Sequence, residues 1–362
     1  MFDLLRRVVG SQSPHLRHRI AAIYGVLIVL NITAWVWALF TFSIQPVLLG
    51  TALLAYGFGL RHAVDADHIA AIDNVTRKLM NEGQRPVTVG FFFALGHSAV
   101  VILAAAAIAV TAKAVNFENF KATGGLISTS VSALFLFLIA AMNIMILRGV
   151  WKTFRQVREG GSYVEEDFDL LLNKRGLVSR FFRPLFKLIS KPWHMFPLGF
   201  LFGLGFDTAT EVALLGISAT QAAKGLSIWT IMVFPALFAV GMALVDTSDG
   251  ILMLGAYDWA FVKPIRKLYY NLVITLLAVV IAVLIGGIEA LGLLKDKLNL
   301  SGGFWDVIDM LNGNFNSLGF IIIGVFILAW VGSILVYRYK GYDELETAVA
   351  ARRSSAEKLL ED

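Results

Sequence analysis

The chain of 362 residues contains no cysteine, and that one absence removes a disulfide framework, thiolate metal sites and cysteine nucleophiles together. Any metal bound here is held by nitrogen and oxygen donors. No Gly-rich loop ending in Lys-Ser or Lys-Thr occurs, so nothing cradles a nucleotide phosphate and no obligatory ATPase subunit is expected. A His-Glu-x-x-His helix is also missing, and an intramembrane metalloenzyme has too few histidines for its clusters. The N-terminal lead, with Arg6, Arg7, Arg17 and Arg19, lacks the short apolar core and small-residue cleavage site of a signal peptide and is expected to be retained.

What the chain has in abundance is apolar surface. Apolar residues make up 57 % of it, 27 of them Phe, and the mean hydropathy is +0.72, which points to an all-α polytopic membrane protein rather than two soluble domains. Apolar windows near 20–42, 46–72, 87–112, 126–147, 196–218, 228–255, 268–292 and 318–337 predict eight transmembrane helices. The net charge of +5 invites a nucleic-acid reading only until the basic residues are located. They flank the apolar windows, so the basic partner is a lipid bilayer and no nucleic acid is expected. Twenty-five of the 31 Lys and Arg fall in alternate connections on one side and five on the other, with Arg61 inside a window, so the positive-inside bias places both termini in the cytoplasm.

The expected organisation is a four-helix N-terminal half over 1–147, a cytoplasmic connection over 148–195, a four-helix C-terminal half over 196–340 and a cytoplasmic tail over 341–362. Two short words recur between the halves. Phe58-Gly59-Leu60 returns as Phe202-Gly203-Leu204, and Phe93-Ala94-Leu95-Gly96 returns as Phe238-Ala239-Val240-Gly241. Four spans per half imply a parallel repeat with a pseudo-two-fold axis along the membrane normal, and a site at the interface of the halves.

The chemistry gathers in Arg61-His62-Ala63-Val64-Asp65-Ala66-Asp67-His68-Ile69-Ala70-Ala71-Ile72-Asp73, where six ionisable side chains occupy thirteen positions of an apolar window. Each charge costs roughly 2.5 to 3.5 kcal/mol at a helix centre, so something must bind or bury them. On a regular helix His62, Asp65 and His68 share an arc and Asp73 returns to the angle of His62, whereas Asp67 points away unless the backbone unwinds. The next window adds Gly96-His97-Ser98, so three of the six histidines lie within adjacent spans. The fifth window carries Asp207-Thr208-Ala209-Thr210-Glu211 after Gly203 and Gly205, and the sixth carries Asp246-Thr247-Ser248-Asp249. For these acids, metal ligation and a polar helix interface both remain open. Asn31 is a buried amide in the first window, either helix glue or a ligand. His15, His18 and His194 read as surface residues, and Glu289 as a side chain reaching water near the outer end of its span.

Imidazole plus carboxylate suits Ni²⁺, Co²⁺ and Zn²⁺, and Ni²⁺ binds more strongly than Co²⁺ at a given site. Three imidazoles argue against Mg²⁺ or Ca²⁺, which take oxygen shells. Binding should weaken as the imidazoles protonate below about pH 6 to 6.5.

At these residues the chain resembles the nickel/cobalt transporter family, most nearly its high-affinity nickel permeases. The resemblance is carried by His62, Asp67 and His68 within Arg61-His62-Ala63-Val64-Asp65-Ala66-Asp67-His68-Ile69, and by Leu95-Gly96-His97-Ser98. It extends to Leu204-Gly205-Phe206-Asp207-Thr208-Ala209-Thr210-Glu211 and Gly241-Met242-Ala243-Leu244-Val245-Asp246-Thr247-Ser248-Asp249, and covers roughly residues 20–340. It implies a secondary transporter of the bacterial inner membrane that takes up Ni²⁺, Co²⁺ or both. The metal would be substrate, with no cofactor, and the essential residues would be His62, Asp67 and His68 with His97 close by. An exporter using the same ligands is the alternative, because ligands do not record direction.

Overall fold

The computed structural model describes residues 14–111, 117–158, 189–205, 208–260 and 264–339, and within them every regular element is helical. In chain order these are α1 (Pro14–Phe42), α2 (Pro46–His62), α3 (Ala66–Asn81), α4 (Val89–Thr111), α5 (Phe117–Arg158), α6 (Met195–Phe202), α7 (Ala209–Ala223), α8 (Ile228–Ile231), α9 (Val233–Ala260), α10 (Pro264–Leu298), α11 (Gly303–Asn312) and α12 (Phe315–Tyr339). A 3-10 turn, Pro192–His194, precedes α6. The acidic stretch Glu165, Glu166, Asp167 and Asp169, the tail over 341–362 and Asp207 lie outside the described residues.

By length and composition, five stretches suffice to cross a membrane: Pro14–Phe42, Val89–Val110, Gly125–Gln156, Ile228–Ala256 and Tyr269–Leu298. Two bent pairs, α2 with α3 and α11 with α12, raise the number to seven if each is one span. The fifth expected span, 196–218, is instead the short helices α6 and α7 on either side of residues 203–208. The window 46–72 is likewise not one helix. It breaks after His62, and α3 leaves at 52° to α2. The cause is local: Asp65 takes an extended backbone (φ −66°, ψ 146°) as the N-cap of α3, a position that favours Asp. The unwinding anticipated for Asp67 therefore falls two residues earlier, and Asp67 sits in the first turn of α3.

α7 starts in a related way, on Thr208 as N-cap, whose hydroxyl accepts from the Glu211 N–H. α3 and α7 also stop alike. Gly83 and Gly225 adopt φ of +78° and +77°, and each ending carries the paired bonds Gly83 N–H to Met80 O with Gln84 N–H to Leu79 O, or Gly225 N–H to Ala222 O with Leu226 N–H to Gln221 O. A left-handed residue that satisfies the last carbonyls is the usual use of glycine there.

Glycines also let backbones touch at the centre. A Cβ on Gly59 of α2 would stand 2.1 Å from the carbonyl oxygen of Phe238 in α9, and one on Gly199 of α6 would stand 2.1 Å from that of Phe93 in α4. Gly241 of α9 faces the Tyr56 carbonyl and Leu60 nitrogen of α2, while Gly96 of α4 faces the Phe196 carbonyl and Phe200 nitrogen of α6. Small residues permit this approach where lipid supplies no hydrophobic drive between helices. The contacts pair α2 with α6 at a spacing of 140 residues and α4 with α9 at 145. The Phe-Gly-Leu word recurs at 144, four residues more than the spacing of these α2 and α6 contacts.

Three apolar clusters surround this centre. One joins α3, α5, α10 and α12 through residues such as Ile69, Leu136, Ile274 and Phe326. A second joins α1, α2, α4, α7 and α9 through Leu27, Ala55, Val101, Leu214 and Phe238. The third, with Ile72, Phe93, Phe135 and Phe202, lies among α3, α4, α5 and α6. Two charges assigned to the surface are inside. Arg77 is 1 % exposed and donates to Asn74 Oδ1 at 3.0 Å and to Thr275 Oγ1 at 2.8 Å, tying α3 to α10. Glu289 is buried rather than reaching water, and its Oε1 accepts from the Ser132 hydroxyl at 2.8 Å, tying α10 to α5. A buried polar group is tolerated where it is hydrogen-bonded, as both of these are.

Candidate metal centre

The break between α2 and α3 is where the imidazoles meet. His62 is the last residue of α2, His68 lies in the first turn of α3, and His97 projects from α4; one nitrogen of each falls within 4.8 Å of the others. A straight helix would hold His62 and His68 nearly two turns apart along its axis. With the helix broken, their rings stand 4.7 Å apart by centroid. All three are buried, His68 completely.

His62 Nε2 and His97 Nε2 are 2.9 Å apart, and Glu211 Oε1 lies 2.8 Å from the second and 3.7 Å from the first. The capping of α7 accounts for that placement: the Thr208 hydroxyl donates at 3.0 Å to Glu211 Oε2, which leaves Oε1 toward the imidazoles. Two other carboxylates hold the rings from behind. Asp65 Oδ2 is 2.8 Å from His62 Nδ1, and both oxygens of Asp246 are 3.3 Å from His68 Nδ1. Among the described residues, His68 Nε2 and His97 Nδ1 are buried without a hydrogen-bond partner. A carboxylate behind one ring nitrogen fixes the tautomer and presents the other nitrogen to a metal.

The sequence-predicted residues thus divide. His62, His68, His97 and Glu211 converge, with Asp65 and Asp246 behind them. Asp67 accepts from the His68 backbone N–H at 2.9 Å and so caps the start of α3. Asn31 is committed elsewhere: its Nδ2 donates to the Leu27 and Val240 carbonyls, and its Oδ1 accepts from the Tyr56 hydroxyl at 3.0 Å. Asp249 lies one turn beyond Asp246 on α9, and Asp207 is outside the described residues. His18 is an exposed residue bonded to Pro14 O, and His194 Nδ1 accepts from Ser190 N–H.

Sequence reasoning passes over the aromatic walls. Phe93 packs edge-on to His68 at 4.8 Å, Phe238 lies 5.6 Å from His62, and Phe202 abuts Phe93 at 5.3 Å. The recurring Phe-Ala-x-Gly word carries the first two, and it is the signal that could have found them.

A many-helix protein with apolar stretches of membrane-spanning length, and with imidazoles and a carboxylate converging in its interior, has the make-up of a multi-pass membrane protein with a candidate cation site. Residues 48–336 match the model of the NicO family, described as high-affinity nickel-transport protein. The chain belongs to that family. It is 59 % identical over 348 residues to the high-affinity nickel transport protein of Cupriavidus necator, covering 96 % of this chain and 99 % of that one. It is 44 % identical to the nickel transporter NicT of Mycobacterium tuberculosis over 92 % of both chains. It is also 39 % identical to the cobalt transport protein NhlF of Rhodococcus rhodochrous, over 91 % of this chain and 96 % of that one. No solved structure matches the chain.

Proposed function

We propose that this chain is a secondary transporter that takes up Ni²⁺, and Co²⁺ beside it, across the cytoplasmic membrane. His62, His68, His97 and Glu211 hold the ion, while Asp65 and Asp246 orient the rings. The observation that carries this is the spacing of His62 Nε2 and His97 Nε2 at 2.9 Å beside Glu211 Oε1. Donors about 2.0 to 2.1 Å from an ion and at right angles to one another stand about 2.9 Å apart. The family and the nickel and cobalt transporters among the relatives support the substrate. None of the three relatives named above is named for efflux. An inside-negative potential contributes about 4.6 kcal/mol per 100 mV to the entry of a dication, so uptake needs no nucleotide.

We infer further that the chain is a repeat of two units, α2–α3–α4–α5 and α6–α7–α9–α10, with both termini cytoplasmic. The reciprocal glycine crossings and the matched start and stop of α3 and α7 support this. Two crossings, α4 and α5, lie between α2–α3 and α6–α7 when each broken pair counts as one span. The units then run in opposite senses about an axis in the membrane plane, in place of the parallel relation expected from four spans per half. In this register His68 and Glu211, each three residues after its N-cap, are counterparts that meet at one ion.

The test is accumulation of radioactive nickel by intact cells with and without the chain, with Co²⁺, Zn²⁺ and Mn²⁺ as competitors. Chain-dependent accumulation, reduced most by Co²⁺, is expected. His62→Ala should abolish it while the protein remains in the membrane. Equal accumulation with and without the chain would remove the uptake reading, and wild-type accumulation by His62→Ala would remove the ligand assignment.

A further inference from the structure

Beyond the imidazoles, α3 and α9 carry further polar groups side by side. Asp73 and Thr76 lie one turn apart on α3, both at 0 % exposure. Across from them on α9 is Asp249, one turn past Asp246 and within electrostatic reach of the Asp73 and Asp246 carboxyl groups. The Oγ1 of Thr76 lies 3.9 Å from where a Cβ on Gly250 would stand, so it faces α9 beside Asp249. Thr76 Oγ1 and Asp249 Oδ2 are both buried and without a hydrogen-bond partner among the described residues.

The threonine is the telling member. A hydroxyl on a helix can satisfy itself by donating back to the carbonyl four residues earlier. Ser218, Thr247 and Ser248 do so in this protein, to Leu214, Ala243 and Leu244. Thr76 does not, and its oxygen is left on the side of α3 that meets α9 at Gly250, the residue after Asp249. The repeat supplies a second argument. The counterparts of Asp246 and Asp249 in α4 are Val101 and Ala104, and the counterparts of Asp73 and Thr76 in α7 are Leu215 or Gly216 and the back-bonded Ser218 or Ala219. The same helical frame packs without carboxylates on the other side, so packing does not require them here.

We propose that Asp73, Thr76 and Asp249 form a second, oxygen-only station for the dication, about 7.5 Å along α3 from His68, on the side of the basic connection after α3. This rests on the reading that the imidazoles bind the transported ion. Two carboxylates balance one dication, and an oxygen set holds Ni²⁺ or Co²⁺ more loosely than imidazoles do. An ion leaving the imidazoles is thus received by a weaker site before release, instead of crossing bare hydrocarbon. The chemistry also predicts a selective probe, because an oxygen shell accepts Mn²⁺ readily.

The experiment uses the full chain in nanodiscs. Mn²⁺ alone is titrated with loss of the free-ion paramagnetic resonance signal as readout, and Co²⁺ alone with its visible ligand-field spectrum. Wild type should bind Mn²⁺ and also give a nitrogen-rich Co²⁺ spectrum. The His62→Ala/His68→Ala/His97→Ala variant should keep Mn²⁺ and lose that spectrum. Asp249→Asn should do the reverse, and Thr76→Val, which spares both carboxylates, should weaken Mn²⁺ binding roughly tenfold. Wild type that gives the Co²⁺ spectrum but binds no Mn²⁺, or Asp249→Asn and Thr76→Val variants that bind Mn²⁺ as wild type does, overturns the station and leaves the imidazole site standing. A wild type with no nitrogen-rich Co²⁺ spectrum would overturn both.

Discussion

Both carboxylate oxygens of Asp246 lie 3.3 Å from Nδ1 of His68, while Nε2 of the same ring is buried with no hydrogen-bond partner among the described residues. The carboxylate is on α9 and the ring on α3, so helix packing decides which nitrogen faces the site. Asp246→Asn keeps the shape and removes the charge that selects the tautomer. The expected loss in Ni²⁺ affinity is about 10- to 100-fold with the fold retained, read by calorimetry on purified protein. Wild-type affinity in that variant would show that His68 needs no such support.

The glycine crossings predict a sharp contrast between two conservative substitutions in one helix. Gly59→Ala puts a methyl group 2.1 Å from the Phe238 carbonyl oxygen, so α2 and α9 must separate, whereas a Cβ on Gly50 meets nothing within 4 Å. Thermal denaturation in detergent should find Gly59→Ala destabilised by about 1 to 3 kcal/mol or more. Gly50→Ala should be neutral or stabilised by up to about 1 kcal/mol through helix propensity.

Asn31 offers a separation of structural from metal-binding roles. Its amide bridges Tyr56 on α2 and the Val240 carbonyl on α9 from α1. Asn31→Ala should lower the denaturation temperature and leave the Ni²⁺ dissociation constant within about twofold of wild type, since about 1 kcal/mol of structural hydrogen bonding is lost without a ligand. A tenfold loss of affinity would place Asn31 among the ligands.

Arg77 is bound through its planar fork, one nitrogen to Thr275 and another to Asn74, whose Oδ1 also accepts from Asn143 of α5 at 2.7 Å. A lysine cannot span both partners from one point charge. Arg77→Lys should therefore cost about 1.5 to 3 kcal/mol, measured as denaturant unfolding, with little recovery over Arg77→Gln.

Much of the site is legible in the sequence because the bilayer makes it so. Ionisable residues in an apolar window are conspicuous, and His62, His68 and His97 stand out for that reason alone. The break that joins them is harder to see, because Ala63-Val64-Asp65 contains neither glycine nor proline and only Asp65 as a cap marks it. Glu211 is visible as the fourth residue of a Thr-x-x-Glu capping box, but its approach to His97 depends on α7 meeting α4, which no local pattern states. The proposed repeat is suggested by the Phe-Ala-x-Gly word, yet the register proposed for α6 is not. Short words align on composition, whereas packing recognises which glycine meets a carbonyl. Arg77 and Glu289 are misread for a related reason: a charge near the end of a window looks solvated until the helices that cover it are placed.

Because α2 lies against α9 and α6 against α4, each unit supplies the floor on which the other is laid. A nascent chain that has delivered only its first four helices holds three imidazoles but neither Glu211 nor Asp246, and its glycine faces have nothing to rest on. The candidate centre is thus complete only once α7 and α9 have joined the earlier helices.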